Sequence, residues 1–333
     1  MDIAFKLFII ILVTYGFSKL ARRFHLSEVI GMIVAGLLLT IPWAYEYLIL
    51  GYEAMVNGLA TLGLITLMFL AGLEVSGNLL FKEEKDAIVV TLFTLSTSLL
   101  VGTIVFTLLG FGLPAAIIMG ICFGVTAEGT KARVLLQLKK LKTKLGALLM
   151  GTGIINDIIG VFLLLLVSYI FTKGFQVSEL LTLFAVLLAF FAGMMAHYSL
   201  DRFSAKLKRI EKLLLFTLVP FFFVNMGIKF DFHSLKLDPW ILLVVLLTAT
   251  LSQILGVFLT KPITKLRLKQ LFLVGWGMNS KGAVELAIGY IALNIGLLPP
   301  TLYSALVVTA LVSTILFQII IFRMVKKNPG IMD

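Results

Sequence analysis

Asp157 is the residue of this sequence whose surroundings most clearly indicate chemistry. It lies in the apolar segment GTGIINDIIGVFLLLL, about 13 residues after Lys144, and no cation shares that segment. A helical rise of about 1.5 Å per residue then puts it near the middle of a bilayer. A charge at that depth costs roughly 2.5 to 3.5 kcal/mol on insertion scales and usually marks an ion path or proton relay. The alternative is a neutral, structural aspartic acid that bonds to a neighbouring helix.

Further ionisable residues interrupt apolar stretches: Glu74, Glu128, Lys131, Lys281 and Glu285, with Lys6 near the outer end of the first stretch. Lys281 and Glu285 are four residues apart, so on one helical face they would neutralise each other. Alternatively, Lys281 and Glu128 lie where two interrupted helices cross, and they offset the like partial charges of facing half-helix dipoles. In both arrangements these residues would support an ion site and would not carry the ion themselves.

Glu74 ends its apolar stretch and has two interpretations. It is a candidate cation ligand, or its side chain extends towards Lys82 or Lys85 in the loop that follows. The sequence leaves both open.

Other residues exclude whole classes of chemistry. The single cysteine, Cys122, rules out an internal disulfide and a cysteine-built metal site. The three histidines are separated at membrane edges and in a loop, which argues against a metal cluster: His25, His197 and His233. No G-x-G-x-x-G after a strand and no Walker loop occurs. We therefore expect no cofactor, no nucleotide and no enzyme; a gradient would drive any transport.

The elements that position these residues are predicted to be membrane helices. Apolar residues make up 60% of the 333 residues and charged ones 14%, so we expect one integral membrane domain over 1–333 without a soluble regulatory domain. Apolar runs predict an all-α protein with eleven spans. They are 3–21, 28–41, 54–74, 87–110, 113–137, 145–171, 177–198, 211–229, 239–260, 270–295 and 300–323.

Positive charge alternates between the connections of these spans. One side carries 21 Lys and Arg residues and the other carries 3, and the net charge of the sequence is +11. The positive-inside rule then predicts an outer N-terminus and a cytoplasmic C-terminus in the cell membrane. Basicity therefore indicates topology and not a nucleic-acid partner.

The two halves of the sequence contain similar segments. IVAGLLLT (33–40) resembles FFAGMMAH (190–197), and VTAEGTKA (125–132) resembles MNSKGAVE (278–285). Spans 2 to 6 (28–171) would correspond to spans 7 to 11 (177–323) in opposite orientation, as in secondary transporters. Polar residues beside Gly129 and Gly282 predict a break in spans 5 and 10. Alternatively, Lys131 and Arg133 begin a cytoplasmic loop.

The motifs FLAGLEVS, VTAEGTKARVLLQL, GTGIINDIIG, PFFFVNMGIKFD and GMNSKGAVELAI together resemble the monovalent cation:proton antiporters, in the branch of NapA-like and Kef-type proteins. The resemblance implies a homodimer and a six-helix core in which two broken helices cross beside an ion-carrying aspartate. That aspartate would be Asp157, with Asn156 at a position that is neutral in many electroneutral members. Thr126 matches the polar residue at the first break, and Lys281 matches a basic residue of the family.

This sequence departs from the family in three ways. Two helices of the usual thirteen-helix layout are missing between Asp157 and FFAGMMAH, which bears on the dimer interface. Gln253 replaces a lysine that many relatives have. Glu128 and Lys131 add charges where relatives usually have small or hydroxyl residues. No nucleotide-sensing domain is expected after Asp333.

These observations predict a secondary antiporter that exchanges H+ for Na+ or K+. Asp157 would bind either ion in turn, and only the occupied, neutral site would cross the membrane barrier easily. With one carboxylate in use, the exchange would be electroneutral. The rival interpretations are a cation-coupled symporter of organic anions with the same fold, and a membrane sensor or assembly subunit that transports nothing.

Overall fold

The computed structural model describes residues 3–23, 28–74, 84–141, 143–171, 177–199, 213–214, 216–231, 233 and 238–332. Within these residues the chain forms fourteen α-helices, a closing 3-10 turn and no strand. The first seven are α1 (Ile3–Arg23), α2 (Glu28–Leu38), α3 (Pro42–Leu48), α4 (Glu53–Glu74), α5 (Glu84–Leu108), α6 (Leu113–Gly124) and α7 (Glu128–Gln137). The others are α8 (Lys144–Phe171), α9 (Val177–Ser199), α10 (Val219–Ile228), α11 (Pro239–Leu259), α12 (Leu268–Gly277), α13 (Ala283–Asn294) and α14 (Pro300–Lys327). The predicted all-α fold is confirmed.

Five helices are each long and apolar enough to cross a bilayer: most of α4, α5 from Lys85, α8, α11 and α14. They correspond to the predicted spans 54–74, 87–110, 145–171, 239–260 and 300–323. α1 and α9 cover the predicted spans 3–21 and 177–198. The predicted total of eleven is not confirmed, because among the described residues only these five qualify, or six with one bent helix pair.

The predicted span 28–41 contains one helix, α2, which ends three residues before the predicted end. α2 ends at Leu38 and α3 begins at Pro42, and the two are bent by 92°. Pro42 lacks an N–H and disfavours the helical conformation at Ile41, which is extended with ψ 131°. The 11 residues of α2 extend about 16 Å, roughly half of a hydrocarbon core. The predicted span 211–229 is described as a helix of 10 residues, α10, and 211–212 lie outside the described residues.

The chain divides into two compact units. The first comprises Met1–Ser76 and Gln176–Phe230, and so contains α1 to α4, α9 and α10. Glycines let its helix backbones meet closely: a methyl group at Gly36 would overlap the Val224 carbonyl oxygen, and one at Gly193 would overlap that of Phe69. Contacts through small residues are how membrane helices pack where lipid is as apolar as the side chains.

The second unit comprises Gly77–Phe175 and Asp231–Asp333, and so contains α5 to α8 and α11 to α14. Here α5 packs on α6 and α11 through glycines: a methyl group at Gly120 would lie 2.8 Å from Leu99 Cα, and one at Gly256 would lie 2.7 Å from Thr94 Cα. α8 packs against α5, α6 and α13. This unit carries the predicted site residues Asp157, Asn156, Thr126, Lys281 and Glu285.

Each unit combines helices from both halves of the sequence. The inverted repeat of 28–171 and 177–323 within one membrane domain stays a prediction. The breaks predicted in spans 5 and 10 are present, however, since α6 is separated from α7 and α12 from α13.

Replacement of Gly36 by alanine should destabilise the protein, because the new methyl group meets the backbone of α10, which cannot move aside as a side chain can. Overpacking of this kind costs about 1 to 3 kcal/mol. We expect a lower midpoint of thermal unfolding for the purified Gly36→Ala protein. Gly58→Ala is the matched control, since Gly58 is also helical and a methyl group there meets nothing within 4 Å. Equal midpoints for the two variants would contradict the close contact.

Candidate functional site

The two helix breaks meet each other. Residues 125–127 separate α6 from α7, and residues 278–282 separate α12 from α13. The Ala127 N–H donates to the Ser280 carbonyl oxygen at 2.7 Å, and the Ser280 hydroxyl donates to the Ala127 carbonyl oxygen at 3.2 Å. A methyl group at Gly282 would overlap the Ala127 side chain. The predicted crossing of two discontinuous helices is confirmed.

Lys281 caps the end of α6 across this crossing. Its Nζ donates to the carbonyl oxygens of Cys122, Phe123 and Val125 at 3.3, 2.6 and 3.2 Å. Carbonyls at the end of a helix have no intrahelical donor and carry the negative end of the helix dipole. A cation from the second broken helix therefore satisfies the end of the first. Lys281 is 2% exposed, which makes these bonds its substitute for water.

Two residues outside the helix breaks strengthen this cap. The Thr314 hydroxyl of α14 donates to the Lys281 carbonyl oxygen at 2.8 Å and accepts from the Lys281 N–H at 3.3 Å. The Gln253 side-chain amide of α11 donates to the Phe123 carbonyl oxygen. Gln253 thus binds the same carbonyl as Lys281. Sequence reasoning missed Thr314; its only signal is a hydroxyl in an apolar run.

Glu285 lies one turn into α13 and pairs with Lys281. The distance from Lys281 Nζ to Glu285 Oε1 is 3.9 Å, and both side chains are fully buried. No hydrogen-bond donor in the described part of the chain reaches either carboxylate oxygen of Glu285. Of the two predicted arrangements, the Lys281–Glu285 pair is present, but Lys281 lies in the break before α13 and not on a helical face. Glu128 begins α7, but its side chain lies outside the described residues, as does that of Glu74.

Lys131 belongs to α7, and so the alternative that it begins a cytoplasmic loop is wrong. The residue is fully buried. Its Nζ donates to the Thr126 hydroxyl at 2.7 Å and to the Leu149 carbonyl oxygen of α8 at 3.0 Å. Helix α7 restarts immediately after the break, which points the side chain back over it. The Arg133 side chain lies outside the described residues.

Asp157 and Asn156 lie on α8 between two of its contacts with the breaks. The Thr152 hydroxyl donates to the Met278 sulfur at 3.3 Å, and a methyl group at Gly160 would overlap the Val125 side chain. Asn156 is fully buried and Asp157 is 7% exposed. Neither polar atom of the Asn156 side chain has a hydrogen-bond partner among the described residues. The structure therefore brings both residues to the crossing.

The remaining candidates lie elsewhere. Lys6 Nζ is 4.4 Å from the centre of the Tyr52 ring in the first unit. His233 is exposed, His25 lies outside the described residues, and the His197 side chain does too. No group of three metal-binding side chains is found in the portion of the chain that is described.

The chemistry available at the crossing is that of oxygen ligands in a protein interior. Asp157 supplies a carboxylate, Asn156 an amide oxygen and Thr126 a hydroxyl oxygen. Oxygen ligands suit hard cations. A carboxylate can also bind a proton in place of a cation.

Replacement of Lys281 by methionine should lower the stability of the protein more than its apparent affinity for cations. The change removes the Lys281 donor from the Cys122 and Val125 carbonyls, leaves Gln253 as the donor to the Phe123 carbonyl, and leaves Glu285 without its cation. Loss of one partner of a buried pair costs about 3 to 5 kcal/mol. Thermal unfolding of the solubilised protein measures this, with the exposed Lys265→Met as control. A variant as stable as the control but without any response to cations would instead assign Lys281 to the ion path.

Sequence and structure comparisons relate the whole chain to cation:proton antiporters. The Na(+)/H(+) antiporter of Enterococcus hirae is 25% identical over 378 residues, which cover 96% of this chain and 97% of that protein. The Na(+)/H(+)-K(+) antiporter GerN of Bacillus cereus is 22% identical, with 92% of each chain covered. The solved structure of the sodium proton antiporter MjNhaP1 from Methanocaldococcus jannaschii at pH 8 matches with a TM-score of 0.64 at 17% identity, covering 97% of this chain and 96% of that one. This last match shows the fold.

The sequence model of the family described as "Sodium/hydrogen exchanger, transmembrane" matches residues 7–196 and 163–327. This chain is therefore a multi-pass membrane protein that belongs to the sodium/hydrogen exchanger family.

Proposed function

We propose that this protein exchanges protons for Na+ or K+ across the cell membrane, and that Asp157 binds the two ions in turn. The observation that carries the proposal is a buried carboxylate beside two crossing helix breaks in a chain of the sodium/hydrogen exchanger family. Asn156 and Thr126 supply further oxygen ligands. The printed names of two relatives support these substrates, since one is a Na(+)/H(+) antiporter and the other a Na(+)/H(+)-K(+) antiporter.

Exchange is obligatory in this scheme because the empty site is charged. An ionised Asp157 is costly to move through the low-dielectric part of the membrane, whereas the protonated or cation-bound site is neutral. The protein therefore crosses between its two orientations only when Asp157 holds one ion. Protons and cations compete for the same group.

Lys281 and Glu285 keep their places throughout the cycle in this scheme. Lys281 and Glu285 form a pair, and Lys281 satisfies the end of α6, so we assign both to support of the breaks. Glu128, at the start of α7, takes the same role. Charges that travel with the protein in both directions cancel over a full cycle, so only the bound ions decide the net charge moved.

Orientation and assembly complete the proposal. The excess of Lys and Arg on one side, 21 against 3, supports an outer N-terminus and a cytoplasmic C-terminus. We also propose a homodimer, as the family resemblance implies.

Replacement of Asp157 by asparagine should abolish exchange and leave the fold intact, because the amide is nearly the same size but cannot bind and release a proton. The measurement is the dequenching of a pH dye in proteoliposomes on addition of Na+, K+ or Li+. Asp238→Asn, at an exposed position before α11, is the control and should keep full activity. Sustained exchange by Asp157→Asn would disprove the carrier role.

A wild-type protein that responds to none of these cations would overturn the proposed function itself. The rival functions would then be the symport of organic anions with a cation and a non-transporting role as sensor or assembly subunit. Uptake of labelled organic anions in the same vesicles distinguishes these two.

The exchange should be electroneutral, because one carboxylate binds one proton or one monovalent cation. Movement of one net charge through 100 mV is worth about 2.3 kcal/mol, so a charge-moving exchanger responds strongly to membrane potential. We expect Na+-driven proton flux to be the same at zero and at a negative potential set with valinomycin and potassium. The Asn156→Asp variant is measured for comparison, since its second carboxylate should make the proton flux depend on membrane potential. A several-fold effect of potential on the wild type would refute the single-carboxylate scheme.

A further inference from the structure

Asn279 is a buried amide in the second helix break that the exchange cycle does not use. Its Nδ2 donates to the Gly275 carbonyl oxygen at 2.9 Å and to the Thr250 carbonyl oxygen of α11 at 3.4 Å. Carbonyl oxygens only accept hydrogen bonds, so the amide nitrogen must be the atom that faces them. The Asn279 Oδ1 atom therefore points away from both acceptors, and its orientation is fixed.

This Oδ1 atom has no donor in the described part of the chain, although Asn279 is fully buried. A buried acceptor without a hydrogen bond costs about 1 to 3 kcal/mol. Amide oxygens are also among the ligands that hard cations take in proteins. The Asn279 oxygen is therefore available to an ion that reaches the second break.

The neighbours of Asn279 place it at the crossing. The Met278 sulfur accepts a hydrogen bond from Thr152, one helical turn before the predicted ion ligands of α8. Ser280 exchanges hydrogen bonds with Ala127 of the first break. Asn279 thus lies between the residue that ties the second break to α8 and the residue that ties it to the first break.

Two other residues at the crossing resemble Asn279. Asn156 of α8 is also fully buried, and its amide oxygen also has no donor among the described residues. In the similar segments VTAEGTKA and MNSKGAVE, Asn279 stands at the position of Thr126, the predicted ligand in the first break. Each of the three elements that meet here therefore contributes a neutral side chain with an oxygen atom.

The end of α12 favours a cation beside Asn279. The helix ends at Gly277, so the negative end of its dipole lies at the break. At the end of α6 the ammonium group of Lys281 offsets the dipole, whereas the donor that Asn279 supplies at the end of α12 is neutral. The ends of half-helices in transporters coordinate cations for this electrostatic reason.

We propose that the Asn279 Oδ1 atom is a further ligand of the transported cation, which would bind between the end of α12 and the Asp157 carboxylate. The inference rests on the proposed function and adds to it a residue that sets the affinity for the cation. A proton needs only the carboxylate and does not use this oxygen. Asn279 therefore acts on one of the two competing ions.

Replacement of Asn279 by valine should raise the apparent KM for the cation about tenfold, a factor that corresponds to about 1.4 kcal/mol. Asn279→Thr should keep a KM closer to that of the wild type, because its hydroxyl can donate to Gly275 and still present an oxygen to the cation. Valine and threonine are nearly equal in size, so their comparison isolates the oxygen. Asn294→Val, at the exposed end of α13, is the matched control and should keep the wild-type KM.

Cation binding measured without transport separates a ligand from a structural residue. A cation that binds the folded protein raises the midpoint of thermal unfolding once its concentration exceeds the dissociation constant. The Na+ concentration at which the midpoint begins to rise should be about tenfold higher for Asn279→Val than for the wild type, and less changed for Asn279→Thr. Loss of a helix cap alone would lower the midpoint at every Na+ concentration and leave that threshold unchanged.

An active wild type whose KM and Na+ threshold are both unchanged in Asn279→Val overturns this inference alone. Equally raised KM values for the valine and threonine variants would assign the effect to the helix cap and also overturn it. Failure of both variants to fold assigns Asn279 to structure, with the same consequence. A wild type without any cation response removes the proposed function and the inference with it.

Discussion

Every backbone group that a helix break frees inside the membrane must find a partner within the protein, and the second unit is organised around that requirement. The cost of an unsatisfied group is several kcal/mol, because the hydrocarbon offers no water. At the end of α6 this requirement is met by the ammonium group of Lys281 and the amide of Gln253, which both donate a hydrogen bond to the Phe123 carbonyl oxygen. The two extended segments bond to each other through Ala127 and Ser280. The need to satisfy the freed backbone groups thus explains both the crossing of the two breaks and the burial of Lys281.

The same requirement creates a place where ions can bind. Segments that cannot be helical expose carbonyls and hydroxyls, and α8 brings Asn156 and Asp157 to them. The contacts on either side of these residues fix the position of α8 against the breaks, since Thr152 bonds to Met278 and Gly160 lies against Val125. A carboxylate held beside polar groups in an interior of low dielectric is sensitive to a single bound ion. In the proposed function, support of the breaks and ion binding therefore share one set of contacts.

Glycine has a recurrent use in both units. Gly36 and Gly193 in the first unit, and Gly120 and Gly256 in the second, each bring a helix backbone against another backbone. Membrane helices gain little from burying apolar side chains, because lipid is equally apolar, so close van der Waals contact supplies the stability. Many large apolar side chains are correspondingly exposed on the outside, as with Leu108 at 82% exposure, while others such as Phe106 are buried.

The sequence by itself determined the fold class and the two helix breaks and predicted the depth of Asp157, because these depend on local composition: apolar runs, a glycine beside polar residues, and distance from the nearest basic loop. It did not determine that the chain turns by 92° between α2 and α3, since a run of apolar letters does not show a change of direction. Nor did it show that Lys281 bonds to the end of α6, that Thr314 holds Lys281, or that Lys131 binds Thr126 and Leu149. Those partners come from helices far apart in the chain. Only tertiary packing decides which freed carbonyl meets which donor, because any hydrogen-bonding side chain at the right depth could satisfy it.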